Sequence, residues 1–336
     1  MNLVRAEVER LAARRFVQLM LALLVVAFAV TAVTTLVGSH RPSSTEVAEA
    51  QRAAAEERQA LNANYQRCVE AARGSLPPEE AESFPDDCSA FDPAQRDRLP
   101  VAADHLQGVF NFADQARPLL YFLILFLVLF GFLVGASYIG ADLSTGGVVN
   151  LLIWRPRRIA VLGAKLGTLL GALTVVSVLA SAAYLGAFWL VGQTAGLPGA
   201  TGGDFWPWLG LTWARGVVLV LFAAAAGFAI ATLGRRTAAA LGAVTAYAVV
   251  WELGLRVVME VVNIPRGEDW MVSTYLDAWL TGEARLADPT VCQDLSSGYC
   301  DGTYQLGWGL GLAVLLTLTG GLTLAAFAAF RRRDLI

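Results

Sequence analysis

The chain has 336 residues, 56% of them hydrophobic and only 16% charged, a composition that speaks against a soluble globule and makes the bilayer the solvent. A net charge of −3 argues against a nucleic-acid partner, because neutralising phosphates needs a basic footprint. Of the 25 cations only Lys165 is a lysine.

Residues 2–15 place Val4, Val8 and Leu11 on one helical face, with Arg5, Glu7, Glu9, Arg10 and Arg14 elsewhere. That is the pattern of an amphipathic helix lying in the membrane interface. Phe16 to Val37 is an uncharged run of 22 residues, about 33 Å long as a helix, which matches the hydrocarbon thickness. A signal peptide has a shorter apolar core and a small-residue cleavage site, so the run is expected to be a retained anchor. Residues 1–37 therefore form the interfacial helix and first span.

At Gly38 the composition turns charged and Pro-containing, and it stays so to Pro118. Residues 38–118 are expected to form an extracytoplasmic domain of their own. Within it, residues 44–73 lack Pro and Gly and carry Val47, Ala54, Leu61, Tyr65 and Val69 at helical spacings, predicting a long stalk-like helix that ends at Pro77-Pro78. The segment to Pro100 reads as irregular, and a helical pattern resumes after Leu99.

Residues 119–262 carry the second to fifth spans: Leu119–Ile139, Leu166–Val191, Leu209–Leu233 and Thr237–Val262. The sixth, Leu306–Phe330, lies in a last segment of residues 306–336, after a loop of residues 263–305. Gly131 and Gly135, and then Gly163, Gly167 and Gly171, recur every four residues, a spacing that lets helix backbones approach closely. Between the second and third spans, residues 142–165 form a loop with Ser144 or Thr145 as a helix cap, an apolar set of Val148, Val149, Leu151 and Leu152, and the cations Arg155, Arg157, Arg158 and Lys165 around Pro156.

Six spans put both termini on one side. That side collects Arg5, Arg10, Arg14, Arg15, the Arg155–Lys165 cluster, Arg235, Arg236 and Arg331–Arg333; loop 192–208 has no cation, and loop 263–305 has only Arg266 and Arg285. The positive-inside rule makes the termini and the 142–165 loop cytoplasmic in a multi-pass membrane protein. The four cysteines, Cys68, Cys88, Cys292 and Cys300, then all fall on the oxidising side, so disulfides are expected. Of three possible pairings the local one, Cys68 with Cys88 and Cys292 with Cys300, needs the least assumption. Zinc fits less well, since neither pair has knuckle spacing and no histidine lies nearby.

No catalytic, cofactor or metal site is predicted: the chain lacks a phosphate-binding loop, a zinc helix and a nucleophile elbow, and His40 and His105 are its only histidines. Intramembrane ionisable residues are the remaining candidates. Glu252, Arg256 and Glu260 follow at four-residue spacing, so Arg256 can pair with either neighbour, while Arg215 sits a turn or two inside the fourth span. The triad lines a hydrophilic part of a substrate path or couples the outer domain to the spans, or these residues merely adapt the helices to headgroups.

The 142–165 loop resembles one found in permease subunits of the type-two ABC exporter family, which includes bacterial drug and antibiotic exporters. The likeness rests on Asp142, Gly146, Gly147, the Leu151–Leu152 pair, Pro156, Arg157, Arg158 and Lys165 in that order, with Asp142 where the family usually has Glu and Gly147 where it has Thr. The resemblance implies an all-α integral membrane protein with six transmembrane helices, an N-terminal amphipathic interfacial helix and a helical, disulfide-containing extracytoplasmic insert. It implies that the loop is a coupling helix docking into a separate ABC-type ATPase through Asp142, Gly146, Leu151, Leu152, Arg155, Arg157, Arg158 and Lys165. ATP and Mg²⁺ belong to that partner and no cofactor to this chain; a second permease copy and membrane lipid complete the assembly. The implied activity is export of a hydrophobic or amphipathic substrate. The alternatives are a membrane-anchored sensor that binds through residues 38–118, and a membrane enzyme acting on lipids.

Overall fold

A computed structural model describes residues 3–85, 87–96, 99–145, 158–262, 264–288 and 302–332. Six helices are long and apolar enough to cross a membrane: α2 (Arg15–Gly38), α5 (Phe112–Ser144), α6 (Arg158–Ala195), α7 (Phe205–Gly234), α8 (Thr237–Val262) and α10 (Trp308–Arg332). Ahead of them lies α1 (Leu3–Ala12), and α3 (Ser44–Ala72), the short α4 (Pro78–Ala81) and α9 (Val272–Thr281) stand between them. The chain forms two compact units: Met1–Ala29, Arg117–Gly186 and Gly202–Ile336 make one, and Val30–Ala116 with Ala187–Thr201 the other.

In the membrane-type unit the core is made by Phe130, Val134 and Ile139 of α5, Leu162, Leu169 and Leu173 of α6, Ala224 and Phe228 of α7, and Phe330 of α10. Glycine decides how close α5 and α7 come. A Cβ at Gly135 would lie 2.3 Å from the Ala224 carbonyl oxygen, and one at Gly227 would lie 2.4 Å from that of Phe132. Gly163, Gly167 and Gly171 do not act this way within the chain: Gly167 and Gly171 face open space and Gly163 only approaches Phe327 at 3.9 Å. The interface-lying face expected for α1 also differs. Leu11 and Glu7 are buried, whereas Val8 is 44% exposed, because Glu7 has an ionic partner inside the unit.

The α8 helix changes register midway, running as a π-helix over Tyr247–Leu255. After it the chain makes the short α9, closed by Gly282 at φ 106°, and an antiparallel hairpin of β3 (Glu283–Ala287) and β4 (Thr303–Gly307) with Arg285 opposite Gln305. Residues 263–305 therefore contain regular structure that composition alone did not announce.

The second unit is built on α3. Ser43 and Glu46 form a capping box, the Ser43 N–H donating to Glu46 Oε2 at 2.7 Å and the Glu46 N–H to Ser43 Oγ at 3.3 Å, which satisfies two orphan donors at once. Its small residues Ala50 and Ala54 are buried, and the turn Ala102–His105 packs along the helix. A disulfide joins Cys68 to Cys88; Cys292 and Cys300 lie outside the described residues. The helical pattern expected after Leu99 is broken by β1 (Phe110–Asn111), which pairs in parallel with β2 (Gly196–Leu197). Ser39 ties the pair in, donating to the Ala195 carbonyl at 2.5 Å and accepting from the Phe110 N–H at 2.9 Å. Gly196 is obligatory there, since a Cβ would sit 2.2 Å from the Phe110 carbonyl oxygen.

Candidate functional site

The helix ends that bracket residues 146–157 carry a buried ionic network. Tyr138 and Asp142 are one turn apart at the end of α5 and so share a face; Lys165 lies two turns into α6, Glu7 on α1, and Arg14 between α1 and α2. Lys165 Nζ donates to Glu7 Oε2 at 2.7 Å and to Asp142 Oδ2 at 2.8 Å. The Tyr138 hydroxyl donates to Glu7 Oε2 at 2.5 Å. Arg14 binds Asp142 with one nitrogen and the Ser137 carbonyl with another at 3.2 Å, and Arg10 closes the rim on Glu7 at 3.2 Å. Both Arg14 and Lys165 stand 4.9 Å from the Tyr138 ring centroid.

Glu7 and Lys165 are each 1% exposed and Tyr138 is fully buried. Charges so placed are tolerable only when paired and fully hydrogen-bonded. Here two carboxylates answer two interior cations, and the tyrosine supplies both a donor and a π face. The network ties the last turns of α5 to Lys165 of α6 and to α1.

Of the residues expected to contact an ATPase, Asp142 and Lys165 thus face each other within the chain, and half-buried Arg158 opens α6. Gly146, Leu151, Leu152, Arg155 and Arg157 lie outside the described residues. The hydroxyls of Ser144 and Thr145 donate back to the Ala141 carbonyl at 3.0 and 2.9 Å and close α5; the segment they were expected to cap lies outside the described residues. Glu7, Arg14 and Tyr138 were not singled out from the sequence. The available signal was Lys165 itself, the one lysine of an arginine-rich chain, set beside an apolar span where it would need an acidic partner.

The intramembrane candidates separate into two places. Glu252 does not pair with Arg256; it accepts from Tyr247 Oη at 2.7 Å, from Ser273 Oγ at 2.7 Å and from the Ser273 N–H at 3.1 Å. It thereby caps the start of α9, where free N–H groups favour a carboxylate. The π register places Tyr247, five residues before Glu252, within reach of its carboxylate. Arg215 lies among tryptophans, 5.8 Å from the Trp279 ring centroid and 6.0 Å from that of Trp308, while Trp279 Nε1 donates to the Arg215 carbonyl at 3.0 Å. Arg256 and Glu260 line a separate cavity near Arg266.

Beyond α8, Arg266 Nε donates to buried Asp288 at 2.5 Å, which together with the Asp288 charge raises its pKa further. Tyr304 donates to Asp269 at 2.5 Å; burial first, and then that hydrogen bond, push its phenol up, so it stays neutral. Among the described residues no cluster of His, Cys, Asp or Glu could hold a metal ion.

No curated protein and no solved structure matched the chain. A family model described as ABC-2 family transporter protein matches residues 1–335. The six membrane-length apolar helices accord with that match. The chain belongs to the ABC-2 transporter family and is a multi-pass membrane permease.

Proposed function

We propose that the chain is the membrane subunit of an ATP-driven exporter and that residues 142–165 receive a separate ABC-type ATPase, which supplies the ATP and Mg²⁺ chemistry. The observation that carries this reading is the Glu7–Lys165–Asp142 network. A loop that transmits force from a partner needs stiff ends, and paired charges on both flanking helices, half-buried at Asp142 and buried at Lys165, provide them. The apolar residues Leu151 and Leu152 then enter the ATPase, with Arg155, Arg157 and Arg158 meeting its acidic rim. Two permease copies enclose the path of a hydrophobic or amphipathic substrate, and ATP-driven closure of the ATPase pair shifts the population between inward-open and outward-open states. The basic ends of the chain lie in the cytoplasm and the α3 unit outside.

Co-purification with a candidate ABC-type ATPase, sought first in the reading frames adjacent to this chain's, tests the docking. Leu151→Asp with Leu152→Asp is expected to lose the ATPase while the permease stays monodisperse. An undisturbed complex with normal ATPase activity would remove the coupling assignment.

A further inference from the structure

Arg256 and Glu260 are charged residues on a membrane-spanning helix, one turn apart, and neither has a hydrogen-bond or ion-pair partner among the described residues. Such charges are costly unless they face water, a headgroup or a ligand. Both line a cavity of about 560 Å³ whose other walls include Met259, Arg266, Glu268 and Met271. Arg266 is already committed to Asp288 and stacks 4.7 Å from the Tyr304 ring centroid, so Arg256 is the cation available to a ligand. Toward the middle of α8 from Arg256 the surface is apolar, with Val249, Val250 and Leu253 exposed, while Val257 and Val261 flank the two charges.

The order of these features along the helix has a chemical meaning. Along the row Val249, Leu253, Arg256, Glu260 there is an apolar stretch, then a cation, then an anion about 6 Å further out at 1.5 Å per residue. A zwitterionic phospholipid presents the matching order of acyl chain, phosphate and ammonium. We propose that this cavity binds the headgroup of a phospholipid of the ethanolamine type, its phosphate on Arg256, its ammonium on Glu260 and its chains along the valine-rich face of α8. A glycerol headgroup would leave Glu260 unanswered. A choline headgroup has no N–H to donate to it.

Native mass spectrometry of the delipidated full-length permease, with phosphatidylethanolamine, phosphatidylcholine or phosphatidylglycerol added back, tests the site without the ATPase and so independently of the docking reading. The wild type is expected to retain phosphatidylethanolamine about tenfold better than the other two, the difference one charge-assisted hydrogen bond makes. Glu260→Gln is expected to abolish that preference and leave phosphatidylglycerol retention unchanged, whereas Arg256→Gln weakens all three. Arg256→Lys, which keeps a cation for the phosphate, retains the lipid and serves where Arg256→Gln fails to fold. Equal retention of the three lipids by the wild type, or phosphatidylethanolamine retention by Glu260→Gln at the wild-type level, would overturn the proposal.

Discussion

A lysine held out of water between two carboxylates is stable as a set and fragile in its parts. Lys165→Met leaves Glu7 without its buried cation and half-buried Asp142 with Arg14 alone, and it is expected to cost about 3–5 kcal/mol. Adding Glu7→Gln removes the stranded charge, so the double variant is expected to recover part of that loss in thermal unfolding of the detergent-solubilised protein. If the two substitutions simply add, the ionic reading of the network is wrong. Asp142 and Lys165 were legible in the sequence because they bracket a loop of recognisable order. Glu7 was not, because its partner is 158 residues away and a short amphipathic helix gives no hint that one of its acids points inward. The same limit applied at Glu252, whose i,i+4 spacing to Arg256 predicted a pair, whereas its carboxylate is taken by Tyr247 and by Ser273, 21 residues on.

Helix α3 shows how far local chemistry alone can carry an element. Its start is set by Ser43 and Glu46, and its end follows from Gly74 at φ 71° and the Pro77-Pro78 pair. The Ser43 N–H, then its hydroxyl and then His40 hold the Glu46 carboxyl below the usual carboxylate range. A carboxylate depressed in the folded state contributes stability above its unfolded value of about 4.3, and that contribution is lost as pH falls through the lower folded value. Hydrogen-exchange protection in the first turn of α3 is therefore expected to be level from pH 7 to 5 and to fall in more acidic solution. Glu46→Gln keeps an acceptor for the cap and is expected to remove the pH dependence while retaining part of the protection. The spans were equally legible, since length and apolarity are what a bilayer demands. The early start of α5 at Phe112 was not, because Pro118 within it reads as a boundary.

At the scale of the molecule, the composition change at Gly38 announced a second unit but not its full membership. The segment Ala187–Thr201 joins it through two strand residues and one serine, too little pattern to be read in a sequence. The Cys68–Cys88 bridge spans 20 residues of that unit, and closing such a loop is worth about 3 kcal/mol. Replacing both cysteines with alanine is expected to speed hydrogen exchange across α3 by about a hundredfold and to leave the spans unchanged. Loosening of both units together would mean that they unfold as one.

The divided membership of the second unit bears on biogenesis. During vectorial synthesis Val30–Ala116 emerges first, and the segment that completes it ends roughly 85 residues later, a delay of about 4 to 17 s at ordinary translation rates. In that interval β1 has an open edge and the Ser39 hydroxyl lacks its carbonyl acceptor. The nascent unit is then a client for a chaperone or a target for a protease until α6 has been inserted and β2 arrives.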